Sequence, residues 1–100
     1  MLTLPIKKKW FDMILSGEKK EEYRNLSSYY WTRFMNIWGD AAYWGEPRQI
    51  KFKNGYRKGS PSFVATCTLA TGFGKEEWGA EQGKKYYILT IKSIEAEGEK

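Results

Sequence analysis

Residues 63–70 and 86–94 constrain this chain most, because each run is apolar, rich in β-branched or aromatic residues, and bounded by Gly, Ser, Pro or Lys. They predict two long strands. In the second run Tyr87, Leu89 and Ile91 fall on one side and Tyr86, Ile88 and Thr90 on the other. A third strand is predicted at residues 50–53, where Ile-Lys-Phe-Lys alternates and turns Lys51 and Lys53 outward as a solvated face. Leu2, Leu4 and Ile6 alternate with Thr3 and Pro5, which fits a short edge strand, the place in a sheet that accepts proline.

Between the edge strand at residues 2–6 and the strand at residues 50–53 the period changes. In residues 7–16 Trp10, Met13 and Ile14, with Phe11 and Leu15 beside them, recur at three- and four-residue spacing. Gly17 supplies the left-handed residue that ends such a helix. A second helix is predicted over residues 27–38, capped by Ser27, with Tyr30, Phe34, Ile37 and Trp38 on one face and Gly39-Asp40 at its end. Residues 29–44 hold seven aromatics, too many for one buried face, so some are expected at the surface. Asn54-Gly55 opens a basic, aromatic loop containing Tyr56 and Arg57. Residues 72–83, with their glycines around Trp78, read as an ordered loop.

With 100 residues the chain has room for one core, and no repeat or low-complexity segment divides it. The expected architecture is α+β, a small mixed β-barrel of about five strands with two helices in the N-terminal half. It is expected to span residues 1–94, followed by a frayed acidic tail at 95–100. That tail holds three glutamates and one lysine, net −2, so a total of +5 leaves +7 on residues 1–94. Such a balance favours a phosphate-bearing or polyanionic partner.

The chain has no His, which excludes histidine triads, the usual general base and His-containing metal sites. Carboxylate spacing favours no metal, and no cofactor is expected. The single Cys67 lies inside a strand and reads as a small core residue. Neither a signal peptide nor a membrane span is expected, which points to the cytoplasm. Nothing in the sequence sets an oligomeric state.

The densest charge lies between Gly17 and Arg24, in Gly-Glu-Lys-Lys-Glu-Glu-Tyr-Arg. Lacking aliphatic residues, the run reads as a charged strand outside the core, facing either bulk water or a concave site. Strand parity puts Lys20, Glu22 and Arg24 on one face and Glu21 and Tyr23 on the other. Arg24 offers a planar fork suited to phosphate or a base edge, and Glu22 can orient it or accept from an exocyclic amine. Lys19, beside the turn, adds a mobile positive charge. The plain alternative is an exposed Glu-Arg pair worth about 0 to 1 kcal/mol.

Gly17, Lys19, Glu22 and Arg24 match Gly-x-Lys-x-x-Glu-x-Arg, and the chain thereby resembles the ASCH domain, a PUA-like β-barrel family. Residues 4–14, Asn54-Gly55-Tyr56 and residues 74–79 are also similar to segments of small bacterial and phage-type members. The resemblance implies a barrel with a basic cleft beside the motif and a role in binding RNA or a nucleotide. Some members are hydrolases, either ribonucleases or amidohydrolases acting on N4-acetylcytidine, and in that case Lys19 and Glu22 would be the catalytic pair. The amidohydrolases carry a Thr where this chain has Glu22, and a carboxylate does not replace a hydroxyl in that role.

Around the motif the expected nucleic-acid contacts are Lys7 and Lys8 from the first helix start, Tyr56 and Arg57 from the middle loop, and Lys75 and Trp78 from the late loop. Lysines crowded at a helix N-terminus are electrostatically unfavourable unless an anion joins them. Basic groups on phosphate with aromatics on bases is the usual division of labour for single-stranded RNA. A third reading uses the aromatic segment 29–44 as a protein-interaction surface.

Overall fold

A computed structural model describes residues 1–96. Five strands and two helices follow one another as β1 (Thr3–Pro5), α1 (Lys8–Leu15), β2 (Glu21–Asn25), α2 (Ser28–Trp38), β3 (Arg48–Lys53), β4 (Ser62–Phe73) and β5 (Lys85–Ala96). Short 3-10 turns at Gly39–Ala42 and Glu76–Trp78 complete the chain. The strands form one mixed sheet in the order β1-β3-β4-β5-β2, curled into a half-barrel. Only β1 and β3 run parallel.

The two long runs are the central pair. β4 and β5 pair antiparallel along nearly their whole length, with a bulge between Thr66 and Cys67. Each is longer than its apolar stretch, since backbone pairing continues where side chains become polar. β5 reaches Ala96, so the start of the expected frayed tail is strand. Residues 97–100 lie outside the described residues. β1 is an edge strand, and Pro5 sits there without interrupting a ladder.

Both helices press one apolar stripe into the concave side of the sheet. α1 buries Phe11 and Ile14 and ends as its composition dictates: Gly17 has φ 85° and its N–H donates to the carbonyl of Ile14. α2 begins at the Ser27 cap, whose hydroxyl accepts from the Tyr30 N–H, and buries Phe34 and Trp38. The core joins them to Ile50, Phe52, Phe63, Ala65, Cys67, Leu69, Tyr87 and Leu89. Ring centroids lie 5.0 Å apart for Phe11 and Phe63 and 5.2 Å for Phe34 and Tyr87, the range in which tilted aromatic pairs add to burial. No helix among the described residues is long and apolar enough to cross a membrane.

Candidate functional site

Of the two settings its composition allows, bulk water or a concave interior, β2 turns one face to the interior. Glu22 pairs across the ladder with Leu89, and Arg24 with Tyr87. Leu89 and Tyr87 are core residues, and directly opposed residues share a face, so Glu22 and Arg24 point into the half-barrel. The expected shared face of Glu22 and Arg24 is present, but Lys20 is exposed. Glu21 and Tyr23 share the other face, where the Tyr23 hydroxyl donates to Glu21 Oε1 at 2.7 Å.

Lys19 is the clearest departure from the sequence reading. Rather than a mobile charge, it is among the largest fully buried side chains, 1% exposed. All three of its N–H groups have a partner: the carbonyls of Glu21 at 2.6 Å and Trp78 at 2.7 Å, and Glu22 Oε1 at 3.2 Å. The other oxygen, Glu22 Oε2, accepts from Arg24 Nε at 3.1 Å and Nη2 at 2.8 Å. One carboxylate therefore bridges two cations whose side chains are 1% and 10% exposed. Among the described residues no buried side-chain nitrogen or oxygen lacks a partner. Burial pulls the Lys19 ammonium below its ordinary pKa, against the opposing pull of Glu22. The same burial, reinforced by the Glu22 charge, pushes the nearby Cys67 thiol up to about 12.

The network has two ends. At one, Lys19 holds the Trp78 carbonyl, and its ammonium lies 4.9 Å from the ring centroids of both Trp10 and Tyr23. The late loop is packed there: the Lys75 N–H donates to the Tyr23 hydroxyl, and a Cβ on Gly74 would fall 2.5 Å from the Tyr23 ring. That close approach requires glycine. At the other end Arg24 Nη2 donates to the Pro5 carbonyl at 2.8 Å, and Nη1 to the Tyr30 hydroxyl at 3.2 Å. Pro5 is in β1 and Arg24 in β2, the two edges of the sheet. A guanidinium thus bridges the seam of the half-barrel.

The concave surface lies beside that seam. A cleft of about 330 Å³ is lined by Pro5, Ile6, Lys7, Asn54, Gly55 and Tyr56. A second, of similar size, shares Pro5, Gly55 and Tyr56 and adds Thr3, Tyr29 and Lys53. Tyr56 is 89% exposed and Tyr29 is 56% exposed, so two phenol rings stand open to solvent with two lysines. Arg33 stacks over Tyr29 at 3.4 Å, and Asn54 pins the loop by donating to the Ile6 carbonyl.

The expected contacts are therefore divided. Lys7 and Tyr56 share the cleft, and Arg24 braces its Pro5 wall from behind. Arg57 is exposed in the same loop. Lys8 is held by Asp12 at 2.7 Å within α1. Lys75 lies 4.6 Å over the Trp78 ring at the Lys19 end, not in the cleft. Gly17 and Lys19 border a separate small recess of about 150 Å³ beside Ile91 and Ile94. Among the described residues no three His, Cys, Asp or Glu side chains converge where they could hold a metal.

Tyr29, Tyr30, Lys53 and Asn54 are not among the contacts expected from the sequence. Tyr30 was visible only as part of a helix face, and Lys53 only as an outward residue of β3. Of the aromatic segment, Trp31, Tyr43 and Trp44 are exposed, while Phe34 and Trp38 fill the core. The fold and site together define an α+β half-barrel closed by an internal ion network, with an aromatic and basic cleft at its seam. No family model, curated protein or solved structure matches the chain.

Proposed function

We propose that this chain is a small PUA-like domain of the ASCH type that binds single-stranded RNA or a nucleotide in the cleft between β1 and the loop after β3. The observation that carries the reading is the pairing of two solvent-open tyrosines, Tyr29 and Tyr56, with Lys7 and Lys53 around one concave surface. Open aromatic rings offer stacking worth about 1–3 kcal/mol per base, and flanking lysines take the phosphates. The four motif positions and the excess positive charge on residues 1–94 point the same way.

Under this reading the motif works from within. Lys19, Glu22 and Arg24 spend their hydrogen bonds on one another and on backbone carbonyls. Arg24 holds Pro5 and Tyr30, and Tyr30 packs edge-on against Tyr29 at 5.0 Å, so the guanidinium positions two walls of the cleft. Fluorescence anisotropy with a labelled single-stranded RNA tests the proposal. Binding should weaken with salt, and Tyr56→Ala and Lys7→Gln should each weaken it further. Binding that ignores salt, or is unchanged in Tyr56→Ala, would refute the reading.

A hydrolase reading has one observation in its favour, a buried lysine of lowered pKa beside a carboxylate. Proton transfer by Lys19 would require it to leave the three acceptors that hold it. Turnover of single-stranded RNA or of N4-acetylcytidine, lost in Lys19→Met, would establish the hydrolase; binding without turnover rejects it.

A further inference from the structure

The loop that follows β3 is tied to the approach to α1 by one side chain. Asn54 Nδ2 donates to the Ile6 carbonyl at 2.9 Å, and the Asn54 backbone N–H donates to the Pro61 carbonyl at 2.9 Å. The first bond fixes which way the amide points, since only its NH2 end can donate to a carbonyl. Turning the amide over would set two oxygens against each other. Oδ1 therefore has one orientation, and among the described residues no donor reaches it. Asn54 lines the cleft beside Tyr56 and Lys7. A side chain that is held at one end and open at the other is suited to reading a ligand's edge, because its hydrogen-bonding sense is set before the ligand arrives.

We infer that Asn54 selects the base: Oδ1 accepts from the exocyclic amine of a base stacked on Tyr56, so that the cleft prefers adenine or cytosine to uracil. This rests on the cleft reading given above and names the class of base it takes. The other groups on this wall are engaged or indifferent. The Pro5 and Ile6 carbonyls accept from Arg24 Nη2 and from Asn54 itself, and the Lys53 carbonyl accepts from the Ile6 N–H. Lys7 only donates, which suits a phosphate. The Tyr56 hydroxyl rotates between donor and acceptor roles and so discriminates little. A fixed acceptor does discriminate. The N6 amine of adenine and the N4 amine of cytosine present it with an N–H, whereas the O4 of uracil in the same place meets it oxygen to oxygen. Among the described residues no Asp or Glu lines either depression, so the acceptor is neutral and does not repel the phosphates as a carboxylate would.

The test compares ligands that differ only by the amine. A tetramer of adenosine and a tetramer of purine riboside, which is adenosine without its amino group, share ring system, sugar and phosphates. The adenosine tetramer should bind about 2- to 12-fold more tightly, the weight of one neutral hydrogen bond. In Asn54→Ala that ratio should fall to about one. Loss of the loop tie alone would weaken both tetramers alike, so a ratio that survives Asn54→Ala would overturn the assignment. Where Asn54→Ala does not fold, the Asn54 side-chain amide signal in the NMR spectrum of the parent protein decides. It should shift further with the adenosine tetramer than with the purine one, and equal shifts would overturn the assignment. Equal affinity of the parent for the two tetramers, with both weakened in Tyr56→Ala, would overturn base selection and leave the cleft reading standing. Failure of either tetramer to bind at all would overturn both.

Discussion

Replacing Glu22 with Gln removes the one anion between two buried cations. The substitution keeps the shape of the side chain but leaves Lys19, 1% exposed, and Arg24, 10% exposed, without their shared counter-charge. Breaking a buried pair by deleting one partner costs about 3–5 kcal/mol, because the remaining charge stays desolvated. Two stranded cations place Glu22→Gln at the upper part of that range, a large share of the roughly 5–15 kcal/mol that holds a domain together. At roughly 4–8 °C per kcal/mol for a chain of this size, the melting temperature should fall by about 15–40 °C.

Urea unfolding followed by tryptophan fluorescence measures it, with an unchanged m-value confirming that the same transition is compared. The cost should also depend on pH. Lys19 can relieve its position by losing a proton, and its pKa is already lowered by burial, so the penalty should shrink as pH rises from 7 towards 10. Arg24 has no such escape and keeps part of the penalty at every pH. Replacing all three residues by apolar ones of similar size should recover much of the loss. A Glu22→Gln cost below about 1 kcal/mol, independent of pH, would refute the reasoning, since that is the behaviour of an exposed pair.

Four further outcomes follow from the same geometry. Arg24→Lys keeps the charge but cannot bond Glu22, Pro5 and Tyr30 together, so amide exchange at Ile6 and Lys51, whose N–H groups bond across the β1–β3 pair, should accelerate; unchanged protection would show that the guanidinium does not hold the seam. Cys67, buried and with its thiol pushed up to about 12, should resist aromatic disulfide reagents at pH 8 until the chain unfolds. Its folded pKa lies above the unfolded value, so its contribution is fully present below pH 9 and lost between 9 and 12; Cys67→Ala should flatten that part of the alkaline limb, and an identical limb would remove the assignment. Gly74→Ala sets a methyl 2.5 Å from the Tyr23 ring and 2.8 Å from Ala80 Cβ, and should cost about 1–3 kcal/mol in thermal melts; a neutral effect would mean the late loop is not docked.

The elements were legible because each is carried by local chemistry. β-Branched runs marked β4 and β5, the three- and four-residue spacing marked α1 and α2, and Gly17 and Ser27 marked a helix end and a helix start. Burial of Lys19 and Glu22 was not legible in the same way. Hydropathy reads both as surface residues, and what makes their burial tolerable is assembled by the fold. The Trp78 carbonyl is far away in sequence, and the Pro5 carbonyl meets Arg24 only when the two edge strands curl towards each other. Same-side placement of Glu22 and Arg24 could be read from strand parity, whereas which side faced the core could not. For the cleft, Lys7 and Tyr56 were found from charge and loop composition. Tyr29 was hidden in an aromatic cluster whose members divide between core and surface, and only packing separates Phe34 from its exposed neighbours.

The Lys19–Glu22–Arg24 network braces the half-barrel from inside, and under the proposed function the ligand meets the cleft outside it. The most direct measurement is an NMR titration of isotope-labelled protein with a short oligouridylate, following backbone amides and side-chain signals together. Shifts are expected at Lys7, Tyr29, Lys53, Asn54 and Tyr56, with the Lys19 ammonium and the Glu22 carboxylate staying where they were. Shifts centred on Lys19 and Glu22, with the cleft silent, would contradict this arrangement.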